Sequence, residues 1–253
     1  MEKAKSNDFE GRIREVLSDP NNRNIPRVID AGKIINGCQI MHNGLKVVVD
    51  GYCGEFITRM LKMNKGVHEP QEERIFMEIL RNIPDGGIMI ELGSYWAFYS
   101  MWFLKNISDS RCYMIEPDEE YMNVGKKNFQ LNGFNGDFTL GKIGGNGISI
   151  DDFLHKKRID FVNLLHSDIQ GDELNMLLGA EKSMQKNKIG YIIIGTHSQK
   201  LHYDCLNFLE DKGYLIIASI DYDYETYCFD GILVAGLKSH NCLNPMKIAL
   251  RSD

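Results

Sequence analysis

The feature that most constrains this chain is a regular alternation of apolar and amphipathic segments between residues 88 and 237. Short apolar patterns such as "IMIEL", "CYMIEP" and "IGYIIIG" alternate with stretches of helical length such as "EEYMNVGKKNFQLNG". Strands that alternate with helices of about 10–15 residues predict a parallel, doubly wound α/β sheet. The last two strand patterns, "YLIIASI" and "CFDGILVAG", have no helix between them. We therefore expect one of them to run antiparallel.

The same reading divides the chain into two parts. Residues 1–66 are rich in turn formers, with one short strand or hairpin at "NGLKVVVDGYCG" and one short helix at "EFITRMLKM". We predict that they form a small N-terminal cap. Residues 67–253 begin with the helical pattern "HEPQEERIFMEILRNI" and contain all the alternating segments. We predict that they form the main domain, with a mostly parallel seven-stranded sheet.

Composition excludes several classes of protein. The formal net charge of -6 argues against a nucleic acid partner and against binding to an anionic membrane. The six cysteines form no CxxC pair, which leaves zinc ribbons and iron–sulfur motifs without support and predicts reduced thiols. The charged start "MEKAKSNDFEGRIREV" has no signal-peptide pattern, and no apolar stretch is long enough to span a bilayer. A cytoplasmic protein is the expectation.

In such a sheet, ligands bind outside the carboxyl ends of the strands, so the residues that follow each strand matter most. The first main strand ends at Glu91, Gly93 and Ser94, and the glycine allows a tight turn close to a ligand. The full GxGxxG fingerprint is absent, which weakens a nicotinamide-dependent oxidoreductase. Glu116 and Pro117 end the next strand, about 20 residues later, where a carboxylate accepts the hydroxyls of an adenosine ribose.

The fourth and fifth strands end in "LLHSDIQGDE" and "GTHS". Because adjacent parallel strands end at the same edge of a sheet, we expect His197 to lie near Asp168. A histidine beside a carboxylate is suited to act as a general base, and we predict this role for His197, with Asp168 orienting it. His166 is the second candidate. The same Asp168 and His197 are equally suited to hold a divalent cation such as Mg²⁺ or Mn²⁺.

The segments "MIELGSYWAFYS", "MIEPD", "KKNFQLNG", "HSDIQGDELNMLLGA" and "GTHS", in this order, resemble the FkbM family of S-adenosylmethionine-dependent methyltransferases. The resemblance runs from roughly Val67 to Ala235 and implies a class I, Rossmann-like methyltransferase fold. Three positions depart from the family pattern: His166 replaces a lysine, Gln170 replaces an acid, and Gly195 replaces a glutamate. These departures leave the proton acceptor and any metal site open.

The resemblance implies S-adenosylmethionine as cofactor and O-methylation of a sugar hydroxyl, with a nucleotide-activated sugar for capsule, lipopolysaccharide or another glycan as the expected substrate. Glu91, Gly93 and Ser94 would line the methionine part of the cofactor, and Glu116 would hold its ribose. The predicted cofactor set also includes Tyr99, Pro117 and Gln71, and the predicted substrate contacts are His68, Tyr95 and Gln170. Two alternatives stay open, namely an oxidoreductase and a methyltransferase for a non-sugar small molecule, and a homodimer is neither indicated nor excluded.

Overall fold

The computed structural model describes residues 9–240 and 242–252. Its N-terminal part contains two α-helices, a 3₁₀ helix and a small antiparallel sheet. Their bounds are α1 Phe9–Ser18, the 3₁₀ helix Pro20–Asn24, β1 Ile34–Ile35, β2 Cys38–Ile40, β3 Lys46–Val48 and α2 Gly54–Met63. The strand and the helix expected from "NGLKVVVDGYCG" and "EFITRMLKM" are both present.

The rest of the chain forms the predicted alternation of helices and strands. The bounds up to the third strand of the main sheet are α3 Pro70–Leu80, β4 Ile88–Leu92, α4 Phe98–Asn106, β5 Arg111–Glu116, α5 Glu119–Asn132 and β6 Asp137–Leu140. They continue with α6 Ile150–Lys157, β7 Val162–Ser167, α7 Glu173–Leu178, α8 Glu181–Gln185, β8 Ile189–Thr196, α9 Gln199–Asp211, β9 Tyr214–Ile220, β10 Gly231–Leu237 and the 3₁₀ helix Lys238–His240.

The main sheet of the described residues has seven strands in the order β6-β5-β4-β7-β8-β10-β9. All neighbouring pairs are parallel except those of β10, which runs antiparallel to both β8 and β9. The predicted mostly parallel, doubly wound sheet is therefore confirmed. The strand order reverses beside β4, and the resulting crevice at the carboxyl ends of β4 and β7 is where ligands bind in sheets of this kind.

Both faces of the sheet are covered, which explains why its strands read as continuous apolar runs. In β4, Met89 packs into the core shared with α3 and α4, whereas Ile90 and Leu92 pack into the core on the opposite face. Glu91 follows the alternation of the strand and is buried on the same face as Met89. A carboxylate in this apolar layer needs hydrogen-bond partners, and its partner belongs to the site described below.

The N-terminal part shares its core with the sheet. Ile13 of α1 and Met60 of α2 belong to the same cluster of buried side chains as Phe76 of α3 and Phe98 of α4. The division of the chain at residue 66 stays a prediction. The helical pattern "DELNMLLGAEKSMQ" forms two short helices and not one, because α7 ends at Leu178 with Gly179 as its C-cap, and Asp151 accepts the amides of Lys182 and Ser183 at the start of α8. Among the described residues, no helix has the length and apolar character of a membrane span.

Candidate functional site

A cavity of about 350 Å³ opens at the carboxyl ends of the central strands. It is lined by residues that follow β4, β5, β7 and β8, by the start of α3 and by the segment before β10. Eleven of the thirteen residues predicted from the sequence line it: His68, Glu91, Gly93, Ser94, Tyr95, Tyr99, Glu116, Pro117, His166, Asp168 and Gln170. The two others are Gln71 and His197.

Gly93 allows two strand ends to meet. Its φ of 69° lies in the left-handed region, and a Cβ at this position would stand 1.9 Å from the carbonyl oxygen of Asp168. Any side chain would push the end of β7 away from the end of β4. The glycine is thus required by the close approach of the two backbones, which brings Asp168 to the cavity.

The turn between β4 and α4 holds two aromatic residues, Tyr95 and Trp96, in fixed positions. Tyr95 and Ala97 both have positive φ, of 36° and 54°, and such strain persists where the surroundings determine the conformation. The Asn128 side chain donates to the carbonyl of Trp96 at 2.9 Å. The Tyr95 ring stacks on Tyr121 with centroids 3.8 Å apart. The turn therefore presents a rigid aromatic wall to the cavity.

Two acids predicted to contact a cofactor are held by backbone amides. Glu91 accepts the amide of Ser100 at 3.0 Å, and burial raises the pKa of Glu91 to about 7. Glu116 accepts the amides of Tyr95 and Asp118, both at 3.0 Å, and burial raises the pKa of Glu116 above its usual value. These bonds fix both carboxyl groups in place while each still has lone pairs for a ligand.

A group of buried acids and histidines surrounds the start of α3. We call it the α3 cluster: His42, His68, Glu69, Glu72, Glu73 and His166. Each histidine in it has its own carboxylate, with distances of 3.2 Å for His42–Glu73, 3.4 Å for His68–Glu69 and 2.6 Å for His166–Glu72. Burial opposes a charge on His166, but the Glu72 carboxylate outweighs it and raises the pKa of His166.

A second group lies at the sheet edge, and we call it the edge cluster: Asp168, Glu173, His197 and Asp230. His197 Nδ1 lies 2.6 Å from Glu173 Oε1, and His197 Nε2 lies 3.2 Å from Asp168 Oδ1 and 3.5 Å from Asp230 Oδ1. The antiparallel pairing of β10 with β8 places Gly231 opposite Thr196. The residue before β10 and the residue after β8 are therefore neighbours, which brings Asp230 to His197.

The edge cluster holds a proton on its histidine. Burial opposes the charged ring, but the bonds to Asp168 and Glu173 and the charge of Asp230 outweigh it and raise the pKa of His197 to about 10. A ring that is protonated at neutral pH donates hydrogen bonds and accepts none. His197 also lies behind Asp168 and Asp230, which line the cavity while His197 does not. Both observations favour Asp168 over His197 as the proton acceptor.

The structure corrects one predicted cofactor contact. Gln71 is fully buried and lies outside the cavity lining. Its side-chain amide donates to the carbonyls of Glu225 and Ala249, and its oxygen accepts the amide of Tyr227. The side chain therefore ties α3 to the C-terminal segments, and both of its N–H donors are used there.

Several cavity residues were not identified from the sequence: Tyr52, Glu69, Tyr121, Lys142 and Asp230. Asp230 had a usable signal, because an acid directly before an antiparallel strand enters the sheet at the same edge where the parallel strands end. Tyr52 comes from the N-terminal part and stacks on Trp96, with centroids 4.4 Å apart. Its place in the cavity depends on long-range packing that no local pattern indicates.

The cavity has a strongly acidic lining. Seven carboxyl groups contribute to it: Glu69, Glu72, Glu91, Glu116, Asp118, Asp168 and Asp230. The described lining residues include no arginine and one lysine, Lys142, which forms an ion pair with Asp172 at 2.7 Å. The cavity is therefore suited to a ligand that carries positive charge or many hydroxyl groups.

Comparison with known proteins agrees with this geometry. The strand order with its antiparallel β10 defines a fold of the class I methyltransferase type. Residues 137–216 match the family model "Methyltransferase FkbM domain", in agreement with the resemblance of the sequence to that family. The matched segment includes Asp168 and His197.

Individual relatives are distant. A "Putative methyltransferase" from Jannaschia sp. (strain CCS1) is 40% identical over 68 residues, which cover 27% of this chain and 23% of that protein. Among solved structures, M. capricolum TrmK with S-adenosylhomocysteine has 16% identity and a TM-score of 0.45, with 69% of each chain covered. A precorrin-6y C5,15-methyltransferase from Geobacter metallireducens GS-15 has 15% identity and a TM-score of 0.49, with 68% of this chain and 91% of that chain covered.

Proposed function

We propose that the protein is an S-adenosylmethionine-dependent O-methyltransferase. The observation that carries the proposal is the arrangement around one cavity of Glu116 at the end of β5, the glycine turn after β4 and Asp168 after β7. An acid at the end of the second strand of such a sheet is placed to hold an adenosine ribose. The methyltransferase family match adds a second, independent line of support.

The residues of the cavity fit the cofactor. S-adenosylmethionine carries a sulfonium and an ammonium group, and the acidic lining favours both. Ser94 Oγ and His166 Nδ1 are buried polar atoms without a hydrogen-bond partner among the described residues. Buried polar groups normally have partners, so these two atoms are open to a polar ligand. Glu91, Ser94 and Tyr99 would border the methionine part, and Glu116 and Pro117 the ribose.

When bound, the cofactor supplies an electrophilic methyl group on a sulfonium. An alcohol is a poor nucleophile, so the protein must align its oxygen and remove its proton as the new O–CH₃ bond forms. Asp168 lines the cavity, and apart from its ion pair with His197 its Oδ1 has no hydrogen-bond partner among the described residues. We propose that the proton passes to the Asp168 carboxylate, which His197 orients, and then to water.

We propose a sugar hydroxyl as the acceptor. Carboxylates together with aromatic rings suit a polyhydroxylated ligand, and Tyr95, Tyr121 and Gln170 line the same cavity as Asp168. The phosphates of a nucleotide-activated sugar find less support, because Lys142 is the one lysine or arginine among the described lining residues. A neutral sugar therefore fits the cavity better than the predicted nucleotide sugar.

Calorimetry with S-adenosylhomocysteine and with NAD tests the proposal. We expect the wild-type protein to bind S-adenosylhomocysteine and not NAD, and Glu116→Gln to weaken this binding by roughly tenfold through the loss of a charged hydrogen-bond acceptor. Glu210→Gln, which changes an exposed acid of α9, is the matched control and should leave binding unchanged. Binding of NAD without S-adenosylhomocysteine would overturn the proposal. If S-adenosylhomocysteine binds, the next experiment is a screen of sugars as methyl acceptors.

A further inference from the structure

We propose that the edge cluster binds one divalent cation of the Mg²⁺ or Mn²⁺ type through Asp168 Oδ1, His197 Nε2 and Asp230 Oδ1. This inference deepens the proposed function and rests on it, since the cation would lie where the acceptor hydroxyl is expected. Among the described residues, these three offer one ligand atom each, all within 4.8 Å of one another.

The distances fit a shared ion. Ligands at about 2.1 Å from an octahedral cation stand roughly 3.0 Å apart when they are neighbours in the coordination shell. His197 Nε2 lies 3.2 Å from Asp168 Oδ1 and 3.5 Å from Asp230 Oδ1. Small shifts of these side chains would therefore complete three coordination positions, and the remaining ones would be left to water or to substrate.

Glu173 supplies the observation that is independent of the ligand atoms. It is completely buried, both its oxygens accept the amide of Gly171, and Oε1 lies 2.6 Å from His197 Nδ1. A histidine that binds a metal normally donates its other ring nitrogen to a carboxylate in this way. Glu173 thus turns Nε2 of His197 towards the two aspartates.

The charge balance of the cluster also favours a cation. Three carboxylates surround one imidazole, and among the described residues neither Asp168 nor Glu173 has an ion pair with a lysine or arginine. Arg12 interacts electrostatically with Asp230, and its charge also acts on Glu69 and Glu15. A divalent cation that displaces the proton from His197 Nε2 would compensate the negative charge of the cluster more fully than this proton does.

The position of the cation gives it a role. Asp168 and Asp230 line the cavity, whereas His197 lies behind them, as expected for a ligand that reaches the ion from the protein side. Gly195 leaves the space beside Asp168 free, since a Cβ there would be 3.6 Å from Asp168 Oδ1. A hydroxyl group that binds the ion in this space would have a lowered pKa and a fixed direction. With Oδ1 of Asp168 on the ion, its other carboxylate oxygen, Oδ2, would accept the hydroxyl proton.

Titration with Mn²⁺, followed by the loss of the electron paramagnetic resonance signal of the free ion, tests the site. We expect one Mn²⁺ per wild-type chain, and a loss of affinity of about tenfold or more in Asp168→Asn and in Asp230→Asn. Asp204→Asn, which changes an acid paired with Lys200 on the surface of α9, is the matched control and should bind like the wild type. Mg²⁺ should displace Mn²⁺.

Two results would overturn the inference: no Mn²⁺ binding up to roughly 1 mM, or binding that both aspartate variants leave unchanged. Circular dichroism confirms that each variant is folded, and Glu173→Gln gives a further variant with an expected loss of about 10-fold to 100-fold in Mn²⁺ affinity. Calorimetry with S-adenosylhomocysteine in EDTA separates the two proposals. If it binds while Mn²⁺ does not, the metal site is wrong and the methyltransferase proposal stands.

Discussion

The α3 cluster and the edge cluster use the same residue types for different purposes. In the α3 cluster, three histidines meet three glutamates in pairs, and all except the part-buried Glu69 are buried. In the edge cluster, one histidine meets three carboxylates, two of which line the cavity. One carboxylate per histidine neutralises the buried charges of the α3 cluster around the start of a helix. Three carboxylates around one histidine leave the edge cluster with a negative charge that favours a cation. The two clusters thus differ in the number of acids per histidine, although His68, Glu69, Glu72 and His166 of the α3 cluster also line the cavity.

The largest expected effect comes from the edge cluster. Asp168→Asn should lower methyl transfer by roughly 10²–10⁴-fold, because the asparagine neither accepts the proton nor orients the acceptor. Its affinity for S-adenosylhomocysteine should stay that of the wild type. Single-turnover transfer to the sugar found in the screen measures the first quantity, and calorimetry the second. His197→Ala should also lower turnover and spare cofactor binding. Full activity in Asp168→Asn would show that the edge cluster takes no part in methyl transfer.

The next largest effect comes from the α3 cluster and appears in stability. Glu72→Ala leaves the buried His166 ring without its carboxylate, and breaking a buried pair in this way costs roughly 3–5 kcal/mol. Urea denaturation measures the change in the free energy of unfolding. Glu72→Gln, which keeps a hydrogen bond to His166, should lose less. The affinity for Mn²⁺ should not change in either variant. A loss of this affinity would show that the α3 cluster also contributes to metal binding.

The pH dependence of stability tests the α3 cluster through one of its acids, Glu73. Burial raises the pKa of Glu73 to about 7, against an ordinary value of 4.5, in surroundings that include His42, His68, Glu69 and Arg27. Between these pH values the unfolded chain releases a proton that the folded protein keeps. The contribution of Glu73 to stability is therefore complete below pH 4.5 and is lost as the pH rises through 7.

Glu73→Gln mimics the protonated acid and removes this dependence. Relative to the wild type, the variant should gain on the order of 3 kcal/mol as the pH rises from 4.5 to above 7. Burial lowers the pKa of His42 from 6.5 to about 4, which gives a contribution of opposite sign over an overlapping pH range, so the difference between the two proteins is the quantity to compare. Urea denaturation at several pH values measures it. Parallel curves would show that Glu73 is ionised in the folded protein.

The smallest effect tests the corrected role of Gln71. Gln71→Ala should cost about 1–3 kcal/mol of stability, because buried backbone groups of the C-terminal segments lose their partners. Thermal unfolding measures this loss. The affinity for S-adenosylhomocysteine should be that of the wild type. Weaker binding of S-adenosylhomocysteine in a folded variant would show that Gln71 contributes to the cofactor site.

Most of the fold was predictable because the strands of a sheet covered on both faces are apolar throughout and end at glycine, proline or polar residues. The missing helix between the last two strands predicted that one of them runs antiparallel, and the structure identifies it as β10. The break between α7 and α8 was not predictable, since it depends on Asp151, which is distant along the chain and binds the start of α8.

The site was predictable where it depends on strand ends. Glu116 and His166 lie at the ends of β5 and β7, and Asp168 follows β7 directly, so the topology alone brings them to one edge. The position of Asp230 could be predicted only with the pairing of β10 and β8. The contacts of Gln71 could be predicted only with the irregular C-terminal segments that surround it. Local patterns locate the edge of a sheet, but they do not give the direction in which a helical side chain points.

The central claim is that the excess of acids at the sheet edge belongs to a methyl-transfer site. A crystal structure with S-adenosylhomocysteine and Mn²⁺ tests it most directly, through anomalous scattering from the metal. We predict S-adenosylhomocysteine in the cavity with its ribose at Glu116, one anomalous peak between Asp168, His197 and Asp230, and none in the α3 cluster. Cofactor bound elsewhere, or a crystal soaked in Mn²⁺ without a peak at the edge cluster, would contradict the account.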